Sequence, residues 1–66
     1  MATYDEFKQH LHVISTAGQA INEDVEKGEK GVKKARVRMR KELLTMARAC
    51  KEARRVLAEL NREPKD

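Results

Sequence analysis

The chain is poor in aromatic side chains: Tyr4 and Phe7 are the only two among 66 residues, and tryptophan is absent. Without aromatics interleaved with basic residues, there is no platform for stacking single-stranded bases. A single cysteine, Cys50, excludes an internal disulfide framework. No stretch approaches the ~18 consecutive apolar residues of a membrane span. The N-terminus lacks the basic-then-apolar order of a secretory leader. These absences predict a cytoplasmic protein with no membrane partner. Missing too are a nucleophile–base pair, a phosphate-binding loop and a carboxylate dyad, so no catalytic residue, small-molecule substrate or cofactor is expected. His10 and His12 stand two apart, which on a helix aims them in different directions and denies them a shared metal. The one proline, Pro64, falls at the end of the chain, and neither glycine nor proline interrupts residues 32–63.

What the chain does have is charge and helical periodicity. Charged residues make up 39% of the sequence and hydrophobic residues another 39%. The length predicts one domain, residues 1–66. The net charge of +4 is unevenly spread. Residues 1–29 carry two Lys/Arg against six Asp/Glu, a net −4, whereas residues 30–62 carry twelve against three, a net +9. Such asymmetry points to a polyanionic partner or to halves that neutralise each other.

Thr3-Tyr4-Asp5-Glu6 reads as a capping box, with Thr3 accepting from the backbone N–H of Glu6. Beyond it Tyr4, Phe7, Leu11, Ile14, Gly18, Ile21 and Val25 recur at spacings of three and four, an a/d heptad seam. The spacing predicts helix one over about residues 4–27. Gly28 is the expected left-handed residue after it, and residues 28–31 form a short turn that joins antiparallel neighbours. A second seam, Met39, Leu43, Met46, Cys50, Ala53, Leu57 and Leu60, predicts helix two over about residues 32–62. Val37, Leu44 and Val56 fall off it. The fold class expected is all-α: a two-helix antiparallel coiled-coil hairpin. A hairpin this small buries little surface, and helix two outruns helix one, so a homo-oligomeric bundle should complete the core. The packing or oligomer seam is then Phe7, Leu11, Ile14, Ile21, Met39, Leu43, Met46, Cys50, Leu57 and Leu60, with Cys50 a buried thiol and the methionines core filler.

On a wheel of about 100° per residue, the basic residues of helix two gather in one arc, roughly 60° to 200° from the seam. Glu42, Glu52, Glu59 and Glu63 take the other flank, with Lys34 and Arg38 nearby. A stripe ~45 Å long suits the phosphates of a duplex, because each neutralised phosphate releases condensed counterions. The candidate contacts are Lys30, Lys33, Lys34, Arg36, Arg40, Lys41, Arg48, Lys51, Arg54 and Arg55. No zinc-finger or helix-turn-helix pattern supplies a base-reading element, so recognition by the backbone, tolerant of sequence, is expected. Two other readings stay open. The arc is a solvated face in one, with Glu23, Asp24 and Glu26 close to Lys30, Lys33 and Lys34 across the turn. In the other, the chain is a helical protein–protein interaction module whose seam docks partner helices without nucleic acid.

The run Val25-Glu26-Lys27-Gly28-Glu29-Lys30-Gly31-Val32-Lys33-Lys34-Ala35-Arg36-Val37-Arg38, followed by Leu43 and Lys51-Glu52, resembles the short bacterial histone H1-like proteins. Gly28, Lys30 and the Arg36-x-Arg38 step look like that family's positions. Glu29 stands where the family has asparagine, and Gly31-Val32 where it has an alanine pair. The resemblance implies a nucleoid-associated protein that binds nucleic acid, double-stranded DNA foremost.

Overall fold

The computed structural model describes residues 2–62. They form two α-helices, α1 (Tyr4–Glu29) and α2 (Lys33–Arg62), packed as an antiparallel hairpin. The rod measures 54 × 14 × 13 Å. No helix among the described residues is long and apolar enough to cross a membrane.

The start of α1 follows from its capping residue. Thr3 is extended (φ −134°, ψ 159°), and its Oγ1 accepts from the Glu6 backbone N–H at 3.1 Å. That bond satisfies one of the donors a helix start leaves orphaned. Asp5 and Glu6 occupy the first turn, where the helix dipole favours negative charge.

The end of α1 differs from expectation. The helix continues through Gly28 to Glu29, and the left-handed residue is Gly31, at φ 92°. The Gly31 N–H donates to the Gly28 carbonyl and the Val32 N–H to the Lys27 carbonyl, both at 3.1 Å. This is a Schellman closure, displaced by three residues from the glycine expected to make it. Gly28 is small for another reason. A Cβ there would lie 2.7 Å from Met39 Cε, so the missing side chain makes room for α2.

The line of contact between the helices also differs. On α1 the buried residues are Ala17 and Gly28; on α2 they are Ala35, Ala49, Ala53 and Val56. Of the expected seam, Phe7, Ile14, Ile21, Met39, Met46 and Leu60 are half-buried. Leu11 (45%) and Leu43 (55%) are exposed, as are Leu57 and Cys50. The true contact line is rotated from the apolar stripe by roughly 40–60° on each helix, at about 100° per residue. The reason is steric. Two helix axes approach closely where side chains are small, and leucines on that line would hold them apart. Val56, off the expected seam, is instead the largest fully buried side chain, while Val37 and Leu44 are exposed.

Gly18 offers a test of how tightly this contact is set. A Cβ added there would meet only Met46 Cε, at 3.2 Å. That methyl ends a flexible side chain and can turn aside. Gly18→Ala should therefore stabilise the hairpin by about 0.5–1 kcal/mol through the lower conformational entropy of alanine. Thermal melts of both proteins decide it; a lower midpoint for the variant would mean that Met46 is locked.

Candidate nucleic-acid interface

The helix-two arc is solvent-facing throughout. Lys30, Lys33, Lys34, Arg36, Arg40, Lys41, Arg48, Lys51, Arg54 and Arg55 are all exposed. They reach this position because α2 turns its alanines toward α1. With Ala35, Ala49 and Ala53 inward, residues half a turn away must point out. Lys30 sits in the turn itself.

Not every cation there is available to a partner. Arg55 Nη2 lies 2.6 Å from Glu52 Oε1, and its Nη1 lies 3.2 Å from Glu59 Oε2. It bridges carboxylates three residues before and four after it, the spacings that face each other on a helix. Arg36 Nε donates to the Gly28 carbonyl at 3.0 Å, which ties it to the end of α1 although the residue as a whole is exposed. Among the described residues, Lys33, Lys34, Arg40, Lys41, Arg48, Lys51 and Arg54 make no ion pair. From the first to the last is 21 steps, or about 32 Å of helix at 1.5 Å per residue.

The acidic end of α1 does reach α2, though not at the lysines of the turn. Asp24 takes a bidentate pair from Arg38, Nε to Oδ2 and Nη2 to Oδ1, both at 2.9 Å. No ion pair joins Glu23 or Glu26 to Lys30, Lys33 or Lys34 among the described residues. The neutralising contact is thus on a flank of the hairpin, next to Lys34 on α2. Sequence reasoning placed Arg38 beside the acidic flank without finding its partner. The signal lay in the antiparallel register, which brings residue 24 level with residue 38.

These pairs set the direction of two titrations. The Arg38 hydrogen bond to Asp24, aided by its charge, holds that carboxyl below the ordinary value, and Arg55 does the same for Glu52. A depressed folded-state pKa contributes stability above the unfolded value and loses it as pH falls through the folded one. Asp24→Asn should therefore weaken the hairpin slightly at neutral pH and leave it unchanged well below pH ~3.9, the ordinary Asp value. Melting curves at the two pH values check this. An equal deficit at both would mean that the ion pair is not what the aspartate supplies.

The α2 start carries a further electrostatic cost. Its first turn holds no acidic residue, and Lys33 and Lys34 stand there instead. Positive charge at the positive end of a helix dipole is unfavourable. An anion bound there would relieve it.

Other candidate groups stay apart. His10 is half-buried beside Val13, Thr45, Arg48 and Glu52, while His12 is exposed. Among the described residues no three His, Cys, Asp or Glu side chains gather as a metal site. Cys50, expected to be buried, opens onto the surface in a shallow apolar trough with Phe7, Leu11, Ile14 and Leu57, because the helix contact is rotated away from it.

No match was found among curated proteins, and none among solved structures. The model of one protein family does match, over residues 2–63, and it is described as histone H1-like protein Hc1. That match covers nearly the whole chain. The chain belongs to the histone H1-like Hc1 family of nucleoid-associated proteins.

Proposed function

We propose that this protein binds double-stranded DNA through its phosphate backbone, with little preference for sequence, using the outward face of α2. Membership in a histone-like family points to a structural protein and not an enzyme. The observation that carries the proposal is the row of seven cations from Lys33 to Arg54 that, among the described residues, have neither a carboxylate partner nor a bond to the backbone. A surface left charged in this way gains little for the fold and attracts phosphates through counterion release. The lysines at the α2 start add to it, since a phosphate there also meets the positive end of the helix dipole. Arg36 and Arg54 would contribute from the edge of the row, and Lys30 from the turn. Arg55, committed to two carboxylates, would contribute least. With only two aromatics, both near the start of α1, single strands have nothing to stack on.

Fluorescence anisotropy with labelled duplexes of two unrelated sequences, over a salt series, tests the reading. Affinity should fall steeply with salt and match between the sequences. A dissociation constant weaker than millimolar at low salt, or one indifferent to salt, would sink it.

A second reading rests on a different observation. Leu11, Leu43 and Leu57 are exposed on one side of the hairpin. Aliphatic surface of this kind favours self-association, so the protein would act as a homo-oligomer on the nucleoid.

A further inference from the structure

Two large side chains of α2 stand where the hairpin has no use for them. Val37 and Leu44 are 53% and 54% exposed, seven residues apart on one line of the helix. Take a wheel of about 100° per residue with Leu44 at zero; Val37 then lies at roughly +20°. The residues that pack on α1, namely Ala35, Ala49, Ala53 and Val56, lie at roughly 120° to 180°. Cys50 and Leu57 of the apolar trough lie at roughly −120° to −140°. Val37 and Leu44 therefore belong neither to the packed line nor to the trough. They look outward, from the middle of the basic face.

The seven cations are disposed about that line. Lys34, Lys41 and Arg48 fall on one side of it, at roughly +40° to +80°. Arg40 and Arg54 fall on the other, at roughly −40° to −80°. Lys33 and Lys51 stand close to the line, at roughly −20°, one toward each end. Val37 shares a shallow hollow with Lys33, Lys34 and Arg38. Leu44 stands at the centre of the row, eleven residues after Lys33 and ten before Arg54. No carboxylate faces out beside it: Glu42 is half-buried on the α1 side, and Glu52 and Glu59 are bound to Arg55.

We propose that α2 lies lengthwise in the major groove of the duplex, with Leu44 and Val37 against the groove floor and the cations on either side of them bound to the phosphates of the two walls. The inference rests on the DNA-binding reading above and adds to it the groove and the side chains that enter it.

Width selects the groove. An α-helix with its side chains is about 10–12 Å across. The major groove is about 12 Å wide and the minor groove about 6 Å, so only the first admits α2. Chemistry agrees. The major-groove floor carries the thymine methyl groups, against which aliphatic side chains exchange water for apolar contact. Such methyls recur in sequences of every order, and no hydrogen bond to a base edge is involved, so the contact reads no base order. A helix resting on the phosphates from outside would instead press its central aliphatics against anions. The groove winds while the helix is straight, so floor contact is confined to the middle of α2, where Leu44 stands; Lys33 and Lys51 meet phosphates as the line leaves the floor. The position of α1 also fits. Residues 1–29 carry a net −4, and α1 lies on the side of α2 opposite Leu44, farthest from the phosphates.

Anisotropy with one duplex in three forms reads the groove: unmodified, carrying glucosylated 5-hydroxymethylcytosine, whose sugars fill the major groove, and saturated with netropsin, which fills the minor groove. The glucosylated form should bind at least about tenfold more weakly and the netropsin form within about threefold of the unmodified one. The reverse order would place the protein in the minor groove and overturn the inference. Leu44→Ser reads the side chain. It should weaken binding about five- to tenfold and leave the slope of log affinity against log salt unchanged, because apolar contact is lost and no phosphate contact is. On the glucosylated duplex the same substitution should make no difference. Its melting midpoint should match that of the native chain, since Leu44 is more than half exposed. Binding that falls with salt yet ignores both the sugars and Leu44→Ser would overturn the groove and leave the DNA reading standing. Absence of any duplex binding at low salt would overturn both. Vesicles of phosphatidylserine and phosphatidylcholine give the last arm: binding to them that Leu44→Ser abolishes, with duplex binding untouched, would assign the aliphatic line to a lipid surface and overturn the inference.

Discussion

Neutralising Arg48 and Lys51 together, as Arg48→Gln with Lys51→Gln, should weaken duplex binding to the same degree for unrelated sequences and flatten its salt dependence. The size of the effect follows from counterion release. Each phosphate neutralised on B-form DNA contributes ~0.9 to the slope of log affinity against log salt. Contacts by the seven cations named above, from Lys33 to Arg54, give a slope of about 6, so a fourfold rise in salt costs roughly 10³–10⁴ in affinity. Removing two contacts lowers the slope to about 4.5, and the same rise in salt then costs only several hundredfold. Arg38→Gln is the matched control. Its guanidinium is already held by Asp24 on a flank of the hairpin, so the slope should stay put. A slope equally reduced by Arg38→Gln would mean that net charge alone, and not the α2 face, governs binding. Loss of affinity for one duplex sequence only would point to base readout, for which the chain has no visible element.

A second large effect is expected inside the hairpin, and it inverts the ranking that hydrophobicity suggests. Val56→Ala should cost about 2 kcal/mol, because it opens a void where the largest fully buried side chain now packs. In a protein whose interior is otherwise alanine, that is a large share of a total stability of a few kcal/mol. Leu43→Ala removes a larger side chain, yet one that is 55% exposed. It should cost well under 1 kcal/mol in the monomer, since an exposed aliphatic loses little burial. Urea titrations at low protein concentration separate the two. The contrast also reports on self-association, because the cost of Leu43→Ala should grow with concentration if a second copy covers it. A Leu43→Ala variant as damaged as Val56→Ala in dilute solution would mean that the helices meet along the leucine stripe after all.

The chain is explicit about its helices and quiet about how they meet. Thr3 and Glu6 announce the start of α1, and the structure places the bond between them where the pattern puts it. The paired glycines announce a turn. Which of them turns was not legible, since both Gly28 and Gly31 suit a left-handed residue. Packing decides between them: Gly28 must stay small under Met39, and Gly31 is left to take the positive φ. The apolar stripes were legible as stripes. Their periodicity locates the centre of the aliphatic side chains, and in a lone pair of helices that centre is not the line of closest approach. Ala17, Ala35, Ala49 and Ala53 mark that line; Ala53 stood on the expected seam, while the weak hydrophobicity of Ala35 and Ala49 hides them in a pattern search.

The candidate interface divides in the same way. That the basic residues of α2 share a face depends only on their spacing along a helix. That Arg55 is spent on two glutamates and Arg38 on Asp24 depends on side-chain geometry and on the hairpin register. By itself the sequence determined two helices, a short turn, and a negative half followed by a positive one, because spacing, capping and charge order are local or cumulative properties. Only the tertiary structure decided which face of each helix is inside, since that depends on how near two axes can come. By turning the alanines inward it left Leu11, Leu43 and Leu57 on one broad face, and, along the outer side of α2, seven cations that make no ion pair among the described residues.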